Sequence, residues 1–304
     1  MGEVGQYMLS RHQFLKLACL AGASILVGGC GAREMSADTA PVDVDKAQFL
    51  DQSYQALDHW RTSQQIRESG ELVVGVSADV KPYGHIDDLG NYTGFEVAIA
   101  HRLRWDLGVG IRFVETDPRD VAPYLAANKV DVVVCGTAVP TNEVWQATPF
   151  IAPRQALVAN ATQGIVSVQD LLGLDVAVCE GTHAARLVDG LQVATNLHAY
   201  ESYTGAFQAL KMGAASALCV DQLAARAWTL ANPEFAVVID DMGEPCPAGI
   251  LVAPENEELL KYMNHLTFVL VNDGVVRGVY EKQVAPDLSG VDFSHTLLPV
   301  EQDV

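Results

Sequence analysis

The residues of this chain that could do chemistry stand where apolar runs stop. Asp131-Val-Val-Val-Cys135 suits a strand buried on both faces, and its pattern breaks at Gly136-Thr137-Ala138. Small residues there leave backbone N–H groups free at the carboxyl end of a strand, where open α/β sheets bind ligands. The run over 216–220 ends the same way in Asp221. A charge at the end of an apolar strand is partly desolvated and in want of a cationic partner. The run over 174–179 ends in Glu180-Gly181-Thr182-His183. Thr182 could cap a helix over 184–189 and leave N–H groups at its start for an anion or polar ligand. A further apolar run, 72–76, exits through Ser77-Ala-Asp79-Val-Lys-Pro-Tyr83-Gly84. Pro82 fixes φ and Gly84 permits a sharp bend, so this is a shaped loop that displays Tyr83. Serine, cysteine and metal hydrolase motifs are absent, as is a Gly-rich phosphate loop.

Those strand ends need a frame. Strand 72–76, a helix over 95–107 with Val97, Ile99, Ala100 and Leu103 on its packed face, strand 111–114, a short helix over 118–128 and strand 131–135 follow in order. That is β-α-β-α-β, a parallel sheet with right-handed crossovers. After Pro153 a second unit begins: strand 156–159, a short helix over 168–172, strand 174–179, helices 184–189 and 205–212, strand 216–220, helix 222–230 and strand 235–239. Strand 249–253 and helices 257–271 and 275–283 come last, with Phe268 and Leu270 inward. The expectation is an α/β two-lobed clamshell, each lobe a mostly parallel sheet flanked by helices. Two crossings, near Pro153 and Gly249, make the hinge. The domains then read 1–30 leader, 31–70 tether plus an N-terminal helix, 71–153 first lobe, 154–247 second lobe and 248–304 return to the first. The N-terminal helix is expected over 45–68, with Phe49, Leu50, Tyr54, Leu57 and Trp60 on one face.

Composition bounds the function. The chain has 304 residues, 49% hydrophobic and 19% charged, enough to bury a substantial core. Its net charge of -19 disfavours binding to nucleic acid and to anionic membrane surfaces. Arg11 and Lys16 precede a short apolar run over 17–29 that ends in Leu26-Val-Gly-Gly-Cys30. That is the build of an export leader, too short to span a bilayer, and no later run approaches the ~20 apolar residues a span needs. Export to an oxidising compartment permits a disulfide. Every pairing among Cys135, Cys179, Cys219 and Cys246 stays open, and their wide spacing argues against zinc.

From about Glu71 to Val284 the chain resembles the type 2 periplasmic binding proteins, specifically the polar amino-acid family that feeds ABC importers. The resemblance rests on Leu72-Val-Val-Gly-Val, Lys81-Pro-Tyr-Gly, Gly94-Phe95-Glu96, Lys129-Val-Asp-Val-Val-Val and Val176-Ala-Val-Cys-Glu-Gly-Thr. It continues through Cys219-Val-Asp221, Ala248-Gly-Ile and Val279-Tyr-Glu-Lys282. It implies that Tyr83 covers the ligand side chain and that the loop holding Gly136 and Ala138 clamps an α-carboxylate with the help of an arginine. It implies too that Thr182 and His183 touch the ligand, and that Asp221 takes its ammonium. The family's arginine position falls here on Glu143, and between Val130 and Pro153 there is no Arg or Lys. Another arginine, used for acidic ligands, matches about Val121; Arg119 lies close but is expected to point elsewhere.

A bidentate Arg–carboxylate pair is a strong, shape-specific contact, and Glu143 in its place would repel a carboxylate. Asp221, Glu143 and Asp79 around a Tyr83 wall suit an amine or quaternary cation instead. The alternative is a solvated Glu143 turned out from the cleft. The resemblance implies a monomeric solute-binding lipoprotein, not an enzyme and without a cofactor or metal. Its partners would be a small-molecule ligand, an ABC transporter permease and, through lipid on Cys30, a membrane outside the cytoplasm. The small residues before Cys30 resemble a lipobox. Ser10-Arg11-His12-Gln13-Phe14-Leu15-Lys16 resembles a twin-arginine export motif with His12 at its second arginine. Two other classes remain: a scaffold that has lost its ligand, and a dehydratase-like enzyme with Glu180 or Glu143 as general acid.

Overall fold

Two five-stranded sheets carry the chain, and each holds a single strand that runs against the other four. In the computed structural model the described residues are 59–134, 143–193, 195–288 and 294–300. The leader, Cys30, the tether, residues 45–58 of the expected N-terminal helix, Cys135, Gly136 and Ala138 lie outside them. The described residues all fall in one unit, which contains both sheets.

The first sheet is built from β1 (Glu71–Val76), β5 (Gly110–Glu115), β6 (Val132–Val134), β7 (Trp145–Gln146) and β13 (Ile250–Val252), in the order β5-β1-β6-β13-β7. β5, β1 and β6 are parallel, whereas β13 pairs antiparallel with both β6 and β7. Leu72, Val74 and Val76 face one buried cluster, and Val73 faces another with Val121, Val133 and Leu251. Burial on both faces is why these strands read as unbroken apolar runs. A small three-stranded sheet, β2 (Asp79–Val80), β3 (Gly84–Ile86) and β4 (Tyr92–Thr93), follows β1. These very short strands carry no readable period in the sequence.

The second sheet runs β10-β9-β11-β8-β12, from β8 (Gln155–Asn160), β9 (Asp175–Cys179), β10 (Asn196–Tyr200), β11 (Ala217–Asp221) and β12 (Phe235–Met242). Here β8 is the reversed strand. In the register of β11 on β9, Ala217 pairs with Val176 and Leu218 with Ala177. Cys219 therefore lies on the Val176 face and Cys179 on the opposite one, so these two thiols cannot meet. Cys179, Cys219 and Cys246 are all free.

The two segments that cross between sheets run side by side. Ile151 bridges Ala248, and the Cys246 N–H donates to the Pro153 carbonyl at 2.8 Å. The helices are α1 (Ser63–Ser69), α2 (Phe95–Leu107), α3 (Val121–Ala126), α4 (His183–Asp189), α5 (Tyr203–Lys211), α6 (Gln222–Ala231), α7 (Glu257–Asn272) and α8 (Val275–Gln283).

Two sequence expectations change. A capping box at Thr62 with Gln65 starts a helix at Ser63, so residues 59–62 are not helical, and Trp60 is exposed instead of facing a core. The short helix expected over 118–128 splits into a 3-10 turn, Pro118–Asp120, and α3. Among the described residues no helix is long and apolar enough to cross a membrane.

Candidate functional site

The Tyr83 loop is held by the start of α2. The Phe95 N–H donates to the Pro82 carbonyl at 3.0 Å and the Glu96 N–H to the Tyr83 carbonyl at 2.9 Å. Two of the helix's unsatisfied N-terminal donors are thus spent on the loop. Buried Glu96 accepts the Ser77 N–H at 2.8 Å, which fixes the loop's other end. Gly94 makes this junction possible. Its φ is +116, and a Cβ there would stand 2.4 Å from the Tyr83 carbonyl oxygen. We expect Gly94→Ala to cost about 1–3 kcal/mol of strain at such a φ. Urea denaturation should show it as a lower midpoint at an unchanged slope.

Tyr83 is wholly buried, and its hydroxyl donates to Asp221 Oδ1 at 2.6 Å. Burial first, and the Asp221 carboxylate second, raise the phenol well above its ordinary range. Asp221 ends β11 and caps α6, accepting the N–H groups of Leu223 at 2.8 Å and Ala224 at 3.4 Å through the same oxygen. Its other oxygen, Oδ2, is buried with no hydrogen-bond partner among the described residues. Burial pushes this carboxyl up to about 7, against the opposing pull of its three hydrogen bonds. It borders a small pocket with Gln155, Cys179, Thr182, Tyr203 and Cys219. A buried acceptor facing a pocket without a donor is costly, and a ligand's N–H group would relieve the cost.

The raised carboxyl has a consequence for stability. An unfolded aspartate loses its proton near ~3.9, so between there and about 7 the folded state holds the extra proton. The stability this group contributes is complete below the unfolded value and is lost as pH rises through the folded one. We expect Asp221→Asn to remove that loss, which urea midpoints at about pH 5 and about pH 8 will show.

The other residues singled out from sequence are placed unevenly. Thr182 is buried, donates to the Cys179 carbonyl at 2.7 Å and accepts the Ala185 N–H at 3.3 Å, so its hydroxyl caps α4 while it lines the pocket. His183 is half-buried, and burial lowers its imidazole, with Arg186 a smaller cause. Asp79 accepts the Thr204 N–H at the start of α5 at 2.7 Å, so it reaches from the first lobe to the second. Glu143 is exposed on the turn into β7. Burial raises Cys179, helped by Asp79, Asp117 and Glu180, so this pocket thiol is held protonated and inert. Gln155 and Tyr203 belong to the pocket lining, and no sequence motif marked them. Among the described residues no group of three His, Cys, Asp or Glu side chains could hold a metal ion.

Paired strand segments crossing between two mixed sheets, with a pocket at the strand ends of the second one, define a two-lobed solute-binding fold. The chain belongs to the bacterial extracellular solute-binding proteins, family 3, over residues 72–285. It is 27% identical over 229 residues to the L-cystine-binding protein TcyJ of Escherichia coli K12, covering 74% of this chain and 86% of that one. The solved solute receptor for L-cysteine of Neisseria gonorrhoeae superposes with a TM-score of 0.76 at 28% identity, over 79% of this chain and all of that one. The cyclohexadienyl dehydratase of Pseudomonas aeruginosa is 22% identical over 219 residues, covering 70% of this chain and 82% of that one. Binding proteins and an enzyme thus share this scaffold, as expected from sequence.

Proposed function

We propose that this chain is an exported solute receptor of an ABC importer, lipid-anchored through Cys30, whose ligand is an amino-acid-like or amine-bearing cation. The observation that carries the ligand class is Asp221: a buried carboxylate with one oxygen on Tyr83 and the α6 N-terminus, and the other unpartnered beside the pocket. A ligand ammonium at Oδ2 would supply both the missing hydrogen bond and the missing charge. Tyr83, buried against the same carboxylate, would be the wall that covers the cation, the role the resemblance implies for it. The cystine-binding and cysteine-binding relatives make amino acids with an ammonium and a sulfur-bearing side chain natural probes. The absence of Arg and Lys between Val130 and Pro153 favours ligands that do not depend on a carboxylate clamp in that loop.

The test is calorimetric titration with two panels, standard L-amino acids with cystine and cysteine against amines and quaternary ammonium compounds. Binding from the amine panel that is lost in Asp221→Ala supports the reading. Micromolar binding of an ordinary amino acid that survives Asp221→Ala overturns the site, and no binding from either panel favours a scaffold that has lost its ligand. Anchoring is tested separately: fatty-acid labelling should vanish in Cys30→Ser, and labelling that persists sinks the lipobox assignment.

A further inference from the structure

We propose that Arg119 is the latch that sets how far the two lobes stay closed, through contacts made outside the ligand pocket. Arg119 sits on the Pro118–Asp120 turn of the first lobe, beyond the carboxyl end of β5. From this turn its side chain reaches the opposite lobe. Its Nη1 lies 2.8 Å from Glu201 Oε1, between β10 and α5, and 3.8 Å from Glu180 Oε2, beyond β9. Backbones meet at the same place. A Cβ at Gly181 would lie 2.6 Å from the Arg119 nitrogen and 2.7 Å from the Pro118 carbonyl carbon, so only glycine permits the approach. A third contact, from Asp79 to the Thr204 N–H, closes the rim nearby.

Electrostatics gives this arrangement a direction. Asp117, beside Arg119 in the first lobe, is pushed up to about 6, by burial and then by Asp79, Glu115 and Asp120, with Arg119 opposing. The first-lobe rim is therefore acidic. Closing carries Glu180 and Glu201 of the second lobe towards it. Without the Arg119 charge, closure would press like charges together; with it, closure adds two carboxylates to one cation. Hydrogen bonding and attraction to Glu201 raise the guanidinium further, so it is charged at any working pH. The Arg119 side chain is 33% exposed, so the latch is salt-sensitive and modest by design. This rests on the two-lobed fold alone and not on the ligand assigned to Asp221.

The Thr204 amide is the natural probe, because its N–H is bonded across the lobes and is released on opening. The neighbouring Gly205 N–H, bonded to Ser202 Oγ within the second lobe at 3.1 Å, is its internal control. Amide hydrogen exchange would be followed on ligand-free, folded protein. Arg119→Glu should lower the protection of Thr204 by about fivefold or more and leave Gly205 unchanged. Arg119→Glu with Glu201→Arg should restore most of the loss. In the wild-type protein, raising salt to about 1 M should lower Thr204 protection in the same way. Should Arg119→Glu fold poorly, Arg119→Gln should show lower protection that no longer responds to salt. Unchanged Thr204 protection in the variants, a parallel fall at Gly205, or no rescue by the charge swap overturns the proposal.

Discussion

Replacing Asp221 by alanine is expected to weaken ligand binding by about 3–5 kcal/mol, roughly a hundred- to a thousandfold or more, the usual loss when one partner of a desolvated pair is removed. The two oxygens of this carboxylate differ in their partners. Oδ1 is already committed to Tyr83 and the first turn of α6, so only Oδ2 is open to a ligand. Alanine also removes the α6 cap, which alone costs about 1 kcal/mol of stability. Asparagine separates the two effects, because its oxygen can still cap the helix while the charge is gone. With Asn at 221, affinity for a cation should fall almost as far as with Ala, while stability above about pH 7 is kept or improved. Affinity in the wild-type protein should decline as pH drops below about 7, where Asp221 takes up a proton. Calorimetry with the best binder of the amine panel at two pH values reads both outcomes. A ligand that binds Asp221→Asn as tightly as wild type does not use this carboxylate.

Much of this arrangement was legible one residue at a time. The apolar runs of β1, β6, β9 and β11 announce strands covered on both faces, and their ends mark the site because side-chain period and turn chemistry are local. Tyr83 and Asp221 could each be picked from such ends. That they bond each other could not, because the contact joins residues 138 apart and depends on how two lobes meet. The same limit hid the partner of Asp79, whose carboxylate accepts the Thr204 N–H at the start of α5. It hid the reach of Arg119 to Glu201 as well, since that contact also joins two lobes. β10 escaped for another reason. It is an edge strand whose residues are mostly exposed, so Asn196–Tyr200 shows neither alternation nor an apolar run. Arg61 was missed because its segment reads as part of one longer amphipathic helix. The break at Thr62 is a capping event, visible only as the Thr62–Gln65 pair.

Arg61 leads to the largest stability effect expected outside the cleft. Asp131, just before β6, is buried and receives a bidentate pair from Arg61, with Nε at 2.8 Å from Oδ1 and Nη2 on Oδ2, and the Val73 N–H at 2.8 Å as well. Arg61 itself is only 12% exposed and also donates to the Glu71 carbonyl and to Ser69. The segment is fastened further by Ser63 on Glu258 and by Arg67 on the ring and hydroxyl of Tyr262, both on α7. Asp131→Ala leaves a nearly buried guanidinium with no counter-charge from this carboxylate, and we expect a loss of about 3–5 kcal/mol in urea denaturation. A buried pair is costly to break but not to replace, so Arg61→Met with Asp131→Leu should recover most of that loss. The pair sits at the amino ends of β1 and β6, whereas Asp221 lies at the carboxyl end of β11 and Tyr83 in the loop between β2 and β3. Ligand affinity of the folded Asp131→Ala protein should therefore stay within about twofold of wild type. A small stability change would mean that Arg61 finds solvent when its partner is removed. A large affinity change would mean that the base of the first lobe is coupled to the cleft.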